Sequence, residues 1–256
     1  MGGLTVLRAI QERSPDESTI YLGDTARVPY GPKSPETVRR YAREAAHFLI
    51  ERKVKAMVIA CNTATAHAWS SLAESLDVPV IGVVRPGAAE AVEATRSGRI
   101  GVIGTRGTID SGTYERAIRA IRPTAEVRSM ACPLFVALAE EGWVTGPIAE
   151  LTARRYLGGL LGERIDTLVL GCTHYPLLKA LLEDVVGTDV ALVDSAEATA
   201  RETARVLADG GIEGEGPARR QYFVTDDAHR FGHLAERFLG GPVEHLERVD
   251  LGDGRE

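Results

Sequence analysis

Short β-prone apolar runs alternate along the chain with longer segments whose apolar positions recur at helical spacing. Residues 4–13 are predicted to be helical, followed by a strand at Ser18–Gly23 and a helix at Pro35–Arg52 with proline in its first turn. A strand at Lys55–Ala60 leads into a helix at Asn62–Ser75, then a strand at Pro79–Val84 and a helix at Pro86–Arg96. The order then restarts with a strand at Arg99–Gly104, a helix at Thr108–Arg122, a strand at Ala125–Met130 and helices at Pro133–Glu141 and Gly146–Leu161. A strand at Thr167–Gly171, a helix at Tyr175–Val186, a strand at Val190–Val193 and a long helix at Ser195–Ala208 come next. Past a glycine-rich joint, Gly210–Gly216, the pattern predicts a strand at Arg220–Thr225, a helix at Asp227–Leu239 and a strand at Val243–Arg248.

Strands alternating with helices of this length imply an α/β fold of mainly parallel sheets flanked by helices. The restart suggests two pseudo-symmetric lobes with a cleft between them, since Ile20-Tyr21-Leu22-Gly23-Asp24-Thr25 resembles Ile100-Gly101-Val102-Ile103-Gly104-Thr105. A stronger internal match concerns two cysteines. Val58-Ile59-Ala60-Cys61-Asn62-Thr63 and Val169-Leu170-Gly171-Cys172-Thr173-His174 each run from an apolar strand through a small residue to Cys and then to helix-capping side chains. A cysteine so placed lies at the carboxyl end of a parallel sheet, where ligands of open α/β folds bind. Two such thiols could face one substrate from opposite sides.

A buried, inert hydrophobe is the usual fate of a lone cysteine, but a matched pair after equivalent strands favours acid/base work on a carbon acid. A helix amino terminus after each thiol would help to hold the thiolate. Asn62-Thr63 and Thr173-His174 can cap those helices and also present donors to a carboxylate. His174, two residues from a thiol, could polarise substrate or exchange a proton with Cys172. Glu140 and Glu141 end an apolar helix, where a solvated role is the plain reading. Cys132 reads as structural. His229 and His233 share a helix at metal-ligand spacing but have no third ligand nearby, so no metal is expected.

Bulk properties narrow the classes. With 256 residues the chain can bury a sizeable core as one large or two small domains. A formal net charge of −6 offers nucleic acid or an anionic membrane surface no electrostatic attraction. No apolar run approaches the ~20 residues that span a bilayer, and the amino terminus lacks a secretory pattern. Three scattered cysteines suit a reducing cytosol better than a disulfide framework, which predicts a cytoplasmic protein.

In combination, Tyr21-Leu22-Gly23-Asp24-Thr25-Ala26-Arg27-Val28-Pro29-Tyr30-Gly31, Ala60-Cys61-Asn62-Thr63-Ala64 and Gly171-Cys172-Thr173-His174-Tyr175-Pro176 resemble bacterial glutamate racemase essentially end to end. Gly104-Thr105-Arg106-Gly107-Thr108 and Cys132-Pro133-Leu134-Phe135 fit as well. The resemblance implies interconversion of L- and D-glutamate without a cofactor, supplying D-glutamate for peptidoglycan. It makes Cys61 and Cys172 the two proton donor/acceptors, with the first acting on the D isomer and the second on the L isomer. Tyr30, Gly31, Asn62, Thr63, Thr173 and His174 fall on its substrate-binding positions, Thr105 and Thr108 add hydroxyls, and Glu140 falls on an acid assisting the Cys172–His174 side. It further implies a homodimer, a first lobe of residues 1–86 completed by 196–256, and a second of 87–195.

The family opens on a short strand ending Asp-Ser-Gly-x-Gly-Gly-Leu-Thr-Val, whereas this chain begins Met1-Gly2-Gly3-Leu4-Thr5-Val6. The match resumes in register at Gly2, so the expectation is a start site upstream, with Met1 an internal initiating valine codon. Two alternatives stay open: a racemase of aspartate or a related acid, and a catalytically impaired homologue that only binds such ligands. A thiol redox role is weaker, because no Cys-x-x-Cys is present.

Overall fold

The structure, a computed structural model, describes residues 2–214, 216–241 and 243–252. Helix and strand alternate as the apolar pattern does. The described chain opens with α1 (Gly3–Arg13), β1 (Thr19–Gly23), α2 (Pro35–Ile50), β2 (Met57–Ile59), α3 (Asn62–Ser75), β3 (Val80–Gly82) and α4 (Val84–Ala94). It continues with β4 (Arg99–Gly104), α5 (Arg106–Asp110), α6 (Thr113–Ile121), β5 (Glu126–Ala131), α7 (Leu134–Glu141), α8 (Pro147–Gly162), β6 (Thr167–Gly171), α9 (Lys179–Val186) and β7 (Ala191–Asp194). α10 (Ser195–Asp209), β8 (Arg220–Val224), α11 (Ala228–Leu239) and β9 (Leu246–Arg248) complete the order.

One lobe is built on a four-stranded parallel sheet in the order β5-β4-β6-β7. β6 is buried along its whole length, as a parallel strand covered on both faces must be. One face packs on α7, α8 and α9 through Phe135, Leu157, Leu168 and Leu182; the other packs on α4 and α6 through Ala88, Tyr114 and Ile118. Each fully buried leucine or isoleucine contributes about 1.5–3 kcal/mol relative to exposure. The β4–β6 register sets Gly104 opposite Gly171, so the two strands deliver Thr105 and Cys172 side by side at their carboxyl ends.

The other lobe is likewise built on parallel strands flanked by helices. Its strands form two separate parallel sheets, β1-β8-β9 and β2-β3, and among the described residues no strand joins β1 to β2. α2 and α3 pack over β2 through Val38, Ala46, Ala64 and Leu72. α1 and α11 pack over β8 through Leu4, Leu7, Phe231 and Phe238.

Several boundaries move for identifiable reasons. The helix expected over Thr108–Arg122 is α5 and α6, broken at Gly112, whose φ of +64° glycine tolerates and most residues do not. The helix expected over Pro86–Arg96 starts at Val84, because Pro86 occupies its first turn, where a missing N–H is harmless. Strand β2 is shorter than Lys55–Ala60, and β9 covers only the end of Val243–Arg248. The helix expected over Tyr175–Val186 begins as a 3-10 turn, Tyr175–Leu178, before α9. That last change separates the two thiols: Cys61 is the N-cap of the 14-residue α3, whereas Cys172 leads through a bend into the 3-10 turn.

Candidate active site

A cavity of about 590 Å³ opens at the carboxyl ends of β2 and β6 and is lined by both Cys61 and Cys172. Tyr30, Gly31, Asn62, Thr63, Thr105, Glu140, Thr173 and His174 line it too. Its inner end runs between β1 and β2 to Ala42, Ala46, Leu49, Met57 and Leu72 and is apolar. Charged substrate groups therefore belong at the thiol end, where the polar side chains converge. A hollow of about 770 Å³ beside α1 and α10 holds neither cysteine nor histidine.

The two thiols sit in different environments. Burial pushes the Cys61 thiol up, and the backbone N–H groups of Ala64 and Thr63 at the start of α3 pull it back down. Burial pushes the Cys172 thiol up to about 12, while the backbone at His174 opposes and the charges of Cys61 and Glu140 add to the rise. Both thiols line the one cavity, so ionising one disfavours ionising the other. Cys132 is buried in the core below, outside the cavity, and burial pushes its thiol up to about 12.

On the Cys172 side a histidine and a carboxylate stand in line behind the thiol. His174 Nδ1 lies 3.7 Å from Cys172 Sγ, and its Nε2 lies 3.1 Å from Glu140 Oε1. Burial lowers the His174 pKa and Glu140 opposes that fall, leaving a net decrease. The imidazole is therefore neutral at physiological pH, able to accept a proton at one nitrogen while donating from the other. Glu140 thus pairs with His174, where the chain pattern alone reads it as a solvated helix end.

Hydroxyls from both lobes meet beside the thiols. Thr63 Oγ1 lies 2.8 Å from Thr105 Oγ1 and 3.2 Å from Thr108 Oγ1, and the latter two are 3.0 Å apart. Three hydroxyls own three protons, so a closed ring uses all of them and a ligand oxygen must open it to be bound. Thr108 is itself buried behind the cavity wall and reaches it only through this ring. The lobes also touch through backbone, where Gly107 N–H donates to the Gly31 carbonyl at 3.0 Å. Asn62 is buried, its Oδ1 accepts from the Tyr114 hydroxyl at 2.8 Å, and its Nδ2 has no hydrogen-bond partner among the described residues.

Tyr30 is held in turn. Its hydroxyl donates to Asp24, which also pairs with Arg27 Nε at 2.8 Å and accepts from Thr225 Oγ1 at 3.1 Å. Burial and the Asp24 charge raise the Tyr30 pKa, keeping the phenol neutral. Asp24 and Arg106 also line the cavity, and Tyr114 holds Asn62 from behind it. Asp24 and Arg106 lie inside motifs already noted, but Tyr114 sits in an unremarkable helical pattern and only the fold brings it to Asn62.

No group of three or more His, Cys, Asp or Glu side chains is placed to hold a metal among the described residues. The side chain of His233, half of the spacing noted above, lies outside them. Among the described residues no helix is long and apolar enough to cross a membrane.

Comparison with known proteins agrees with this geometry. A family model described as Asp/Glu/hydantoin racemase matches residues 4–203. A glutamate racemase of Geobacter metallireducens is 53% identical over 253 residues, covering 98% of this chain and 94% of its own. The crystal structure of a glutamate racemase isoform from Bacillus anthracis superposes with a TM-score of 0.95 at 42% identity, over 98% of this chain and 94% of that one. That of the Francisella tularensis glutamate racemase in complex with D-glutamate superposes with a TM-score of 0.92 at 37% identity, over the same shares. With matched strands, paired thiols and this likeness along nearly its whole length, the chain belongs to the Asp/Glu/hydantoin racemase family and, within it, groups with the glutamate racemases.

Proposed function

We propose that this racemase interconverts L- and D-glutamate by a two-base proton transfer between Cys61 and Cys172, with no cofactor. The observation that carries the reading is the pair of cysteines on one cavity, each at the end of a parallel strand from a different sheet. One thiolate removes the α-hydrogen as a proton, leaving its electron pair on the α-carbon. The opposite thiol then donates its proton to the other face and becomes the thiolate. Cys172 serves the L isomer with His174 and Glu140 behind it, and Cys61 serves the D isomer. Each turnover leaves the thiols in exchanged protonation states, which solvent exchange resets.

The barrier shows what else the site must supply. Each pKa unit separating the α-hydrogen from a thiol costs about 1.4 kcal/mol, so even a gap of about 10 units costs about 14 kcal/mol. Donors aimed at the substrate carboxylate in a closed cavity lower that cost by stabilising the carbanion. To this task we assign Asn62 Nδ2, the Thr63 and Thr105 hydroxyls and Thr173, with Tyr30-Gly31 as the facing wall; all of these residues line the cavity. We assign residues 1–86 with 196–256 to one lobe and 87–195 to the other, and place the enzyme in the cytoplasm as a homodimer supplying D-glutamate to peptidoglycan.

Aspartate is the competing substrate, one methylene shorter. A methylene in a fitted pocket is worth about 10–200-fold in specificity. Steady-state racemisation of glutamate and of aspartate tests the choice. We expect kcat/KM for glutamate to lead by more than about tenfold; parity or a preference for aspartate would overturn the assignment.

A further inference from the structure

Tyr114 touches both cysteine loops without lining the cavity. It lies on α6 in the lobe that carries Cys172, 2% exposed, and its hydroxyl donates to Asn62 Oδ1 at 2.8 Å, across the lobe boundary beside Cys61. Its ring rests on Gly171, the residue before Cys172: a Cβ there would stand 3.1 Å from Tyr114 Cε2. A Cβ on Gly87 would stand 3.1 Å from the Tyr114 hydroxyl oxygen, so two glycines clear the space this ring fills. Ser195, 2% exposed at the start of α10, is buried in the same region, and burial keeps the phenol neutral.

These contacts orient the Asn62 carboxamide. With Oδ1 occupied by Tyr114, the unpartnered atom is Nδ2, a buried donor on a residue that lines the cavity. A buried donor without a partner is costly, and an incoming acceptor relieves that cost. A rotated amide would offer a carbonyl oxygen instead and would repel a carboxylate.

We infer that Tyr114 is a positioning residue for substrate binding: it locks the Asn62 amide with Nδ2 toward the cavity, where it receives the substrate carboxylate, and it ties that donor to the backbone that carries Cys172. The inference rests on the carboxylate role proposed above for Asn62. It makes Tyr114 act on binding of both enantiomers alike, through Asn62 alone.

A double-mutant cycle of Tyr114→Phe and Asn62→Ala, read in both reaction directions, tests it. Tyr114→Phe keeps the ring and removes one hydroxyl, so KM should rise about tenfold for both L- and D-glutamate, with kcat changed by less than about threefold. In the Asn62→Ala background the tyrosine change should leave KM unaltered within about twofold. A fall in kcat at constant KM, or single effects that multiply in the double variant, would overturn the inference while leaving the Asn62 assignment intact. No KM change in Asn62→Ala alone would overturn that assignment, and this inference with it. Should Tyr114→Phe fail to fold by circular dichroism, Gly87→Ala, whose Cβ would stand 3.1 Å from the Tyr114 hydroxyl oxygen, displaces the same hydroxyl. A KM rise that vanishes beside Asn62→Ala then supports the inference, and one that persists overturns it.

Discussion

His174 Nδ1 lies 3.7 Å from Cys172 Sγ, whereas Cys61 faces the backbone N–H groups of Ala64 and Thr63 at the start of α3. In the proposed mechanism the two proton transfers are therefore assisted differently: the backbone N–H groups of Thr63 and Ala64 favour the Cys61 thiolate, and the His174–Glu140 pair serves Cys172. Because the two enantiomers have equal free energy, kcat/KM must remain equal in both directions whatever is mutated. The asymmetry has to appear elsewhere.

Glu140→Gln keeps an acceptor near His174 Nε2 and removes the charge. General acid–base assistance is worth about 10²–10⁴-fold, and Glu140 acts one step removed, so kcat/KM should fall about 10–100-fold in both directions. The primary isotope effect of α-deuterated substrate should grow for L-glutamate and stay unchanged for the D isomer. An equal change for both isomers would contradict the assignment of the relay to Cys172.

Removing either thiol should separate exchange from inversion. Cys61→Ala leaves a base on one face and no donor on the other, so it should exchange the α-hydrogen of L-glutamate with solvent without producing D-glutamate. Cys172→Ala should do the same for the D isomer alone. Racemisation should fall by at least about 10³-fold in each. Proton NMR in deuterated water reads both quantities, and a single variant that still racemises would show that one base suffices.

The Gly107 contact offers a steric test. A Cβ on Gly107 would stand 2.8 Å from the Gly31 carbonyl oxygen, a backbone atom that cannot rotate aside. Gly107→Ala should therefore push the Tyr30-Gly31 wall from Thr105 and Thr63, at a cost of about 1–3 kcal/mol. KM should rise and the melting temperature fall together. Gly158→Ala is the control, since nothing lies within 4 Å of its Cβ position.

Alkaline pH should destabilise the protein through its buried thiols. Burial pushes Cys132 and Cys172 each up to about 12, whereas an unfolded cysteine ionises near about 8.5. Between those values the native chain binds more protons than the unfolded one, so stability is complete below about 8.5 and declines as pH rises. From pH 8 to pH 10 the loss should be about 1–2 kcal/mol per thiol, read as urea midpoints. Cys132→Ala should flatten the decline while leaving the active site untouched. An identical slope in that variant would show that Cys132 is not held protonated.

Much of this was legible in the sequence because local chemistry and tertiary structure agree. The strand-to-Cys motifs at Cys61 and Cys172 fold as strand ends because their apolar runs suit buried parallel strands and a small residue precedes each thiol. What failed to show depends on contacts between distant segments. Gly112 breaks an otherwise continuous helical pattern, and a glycine within a helical pattern does not announce a left-handed φ. Pro176 sits in the first turn after Cys172 whether that turn is α or 3-10, so the weaker helix term there was invisible. Tyr114 looks like any apolar-face tyrosine until β4 and β6 bring it under Gly171. The division of one lobe's strands into two sheets likewise follows from which strands pair, which alternation of elements does not specify.

The most direct measurement is incubation of the protein with L-glutamate in deuterated water, with no added cofactor, following optical rotation and α-deuterium together. The two-thiol account predicts loss of optical activity with one solvent deuterium entering the α-carbon at each inversion. Inversion that leaves the α-hydrogen in place, or no reaction at the α-carbon of glutamate, would contradict it.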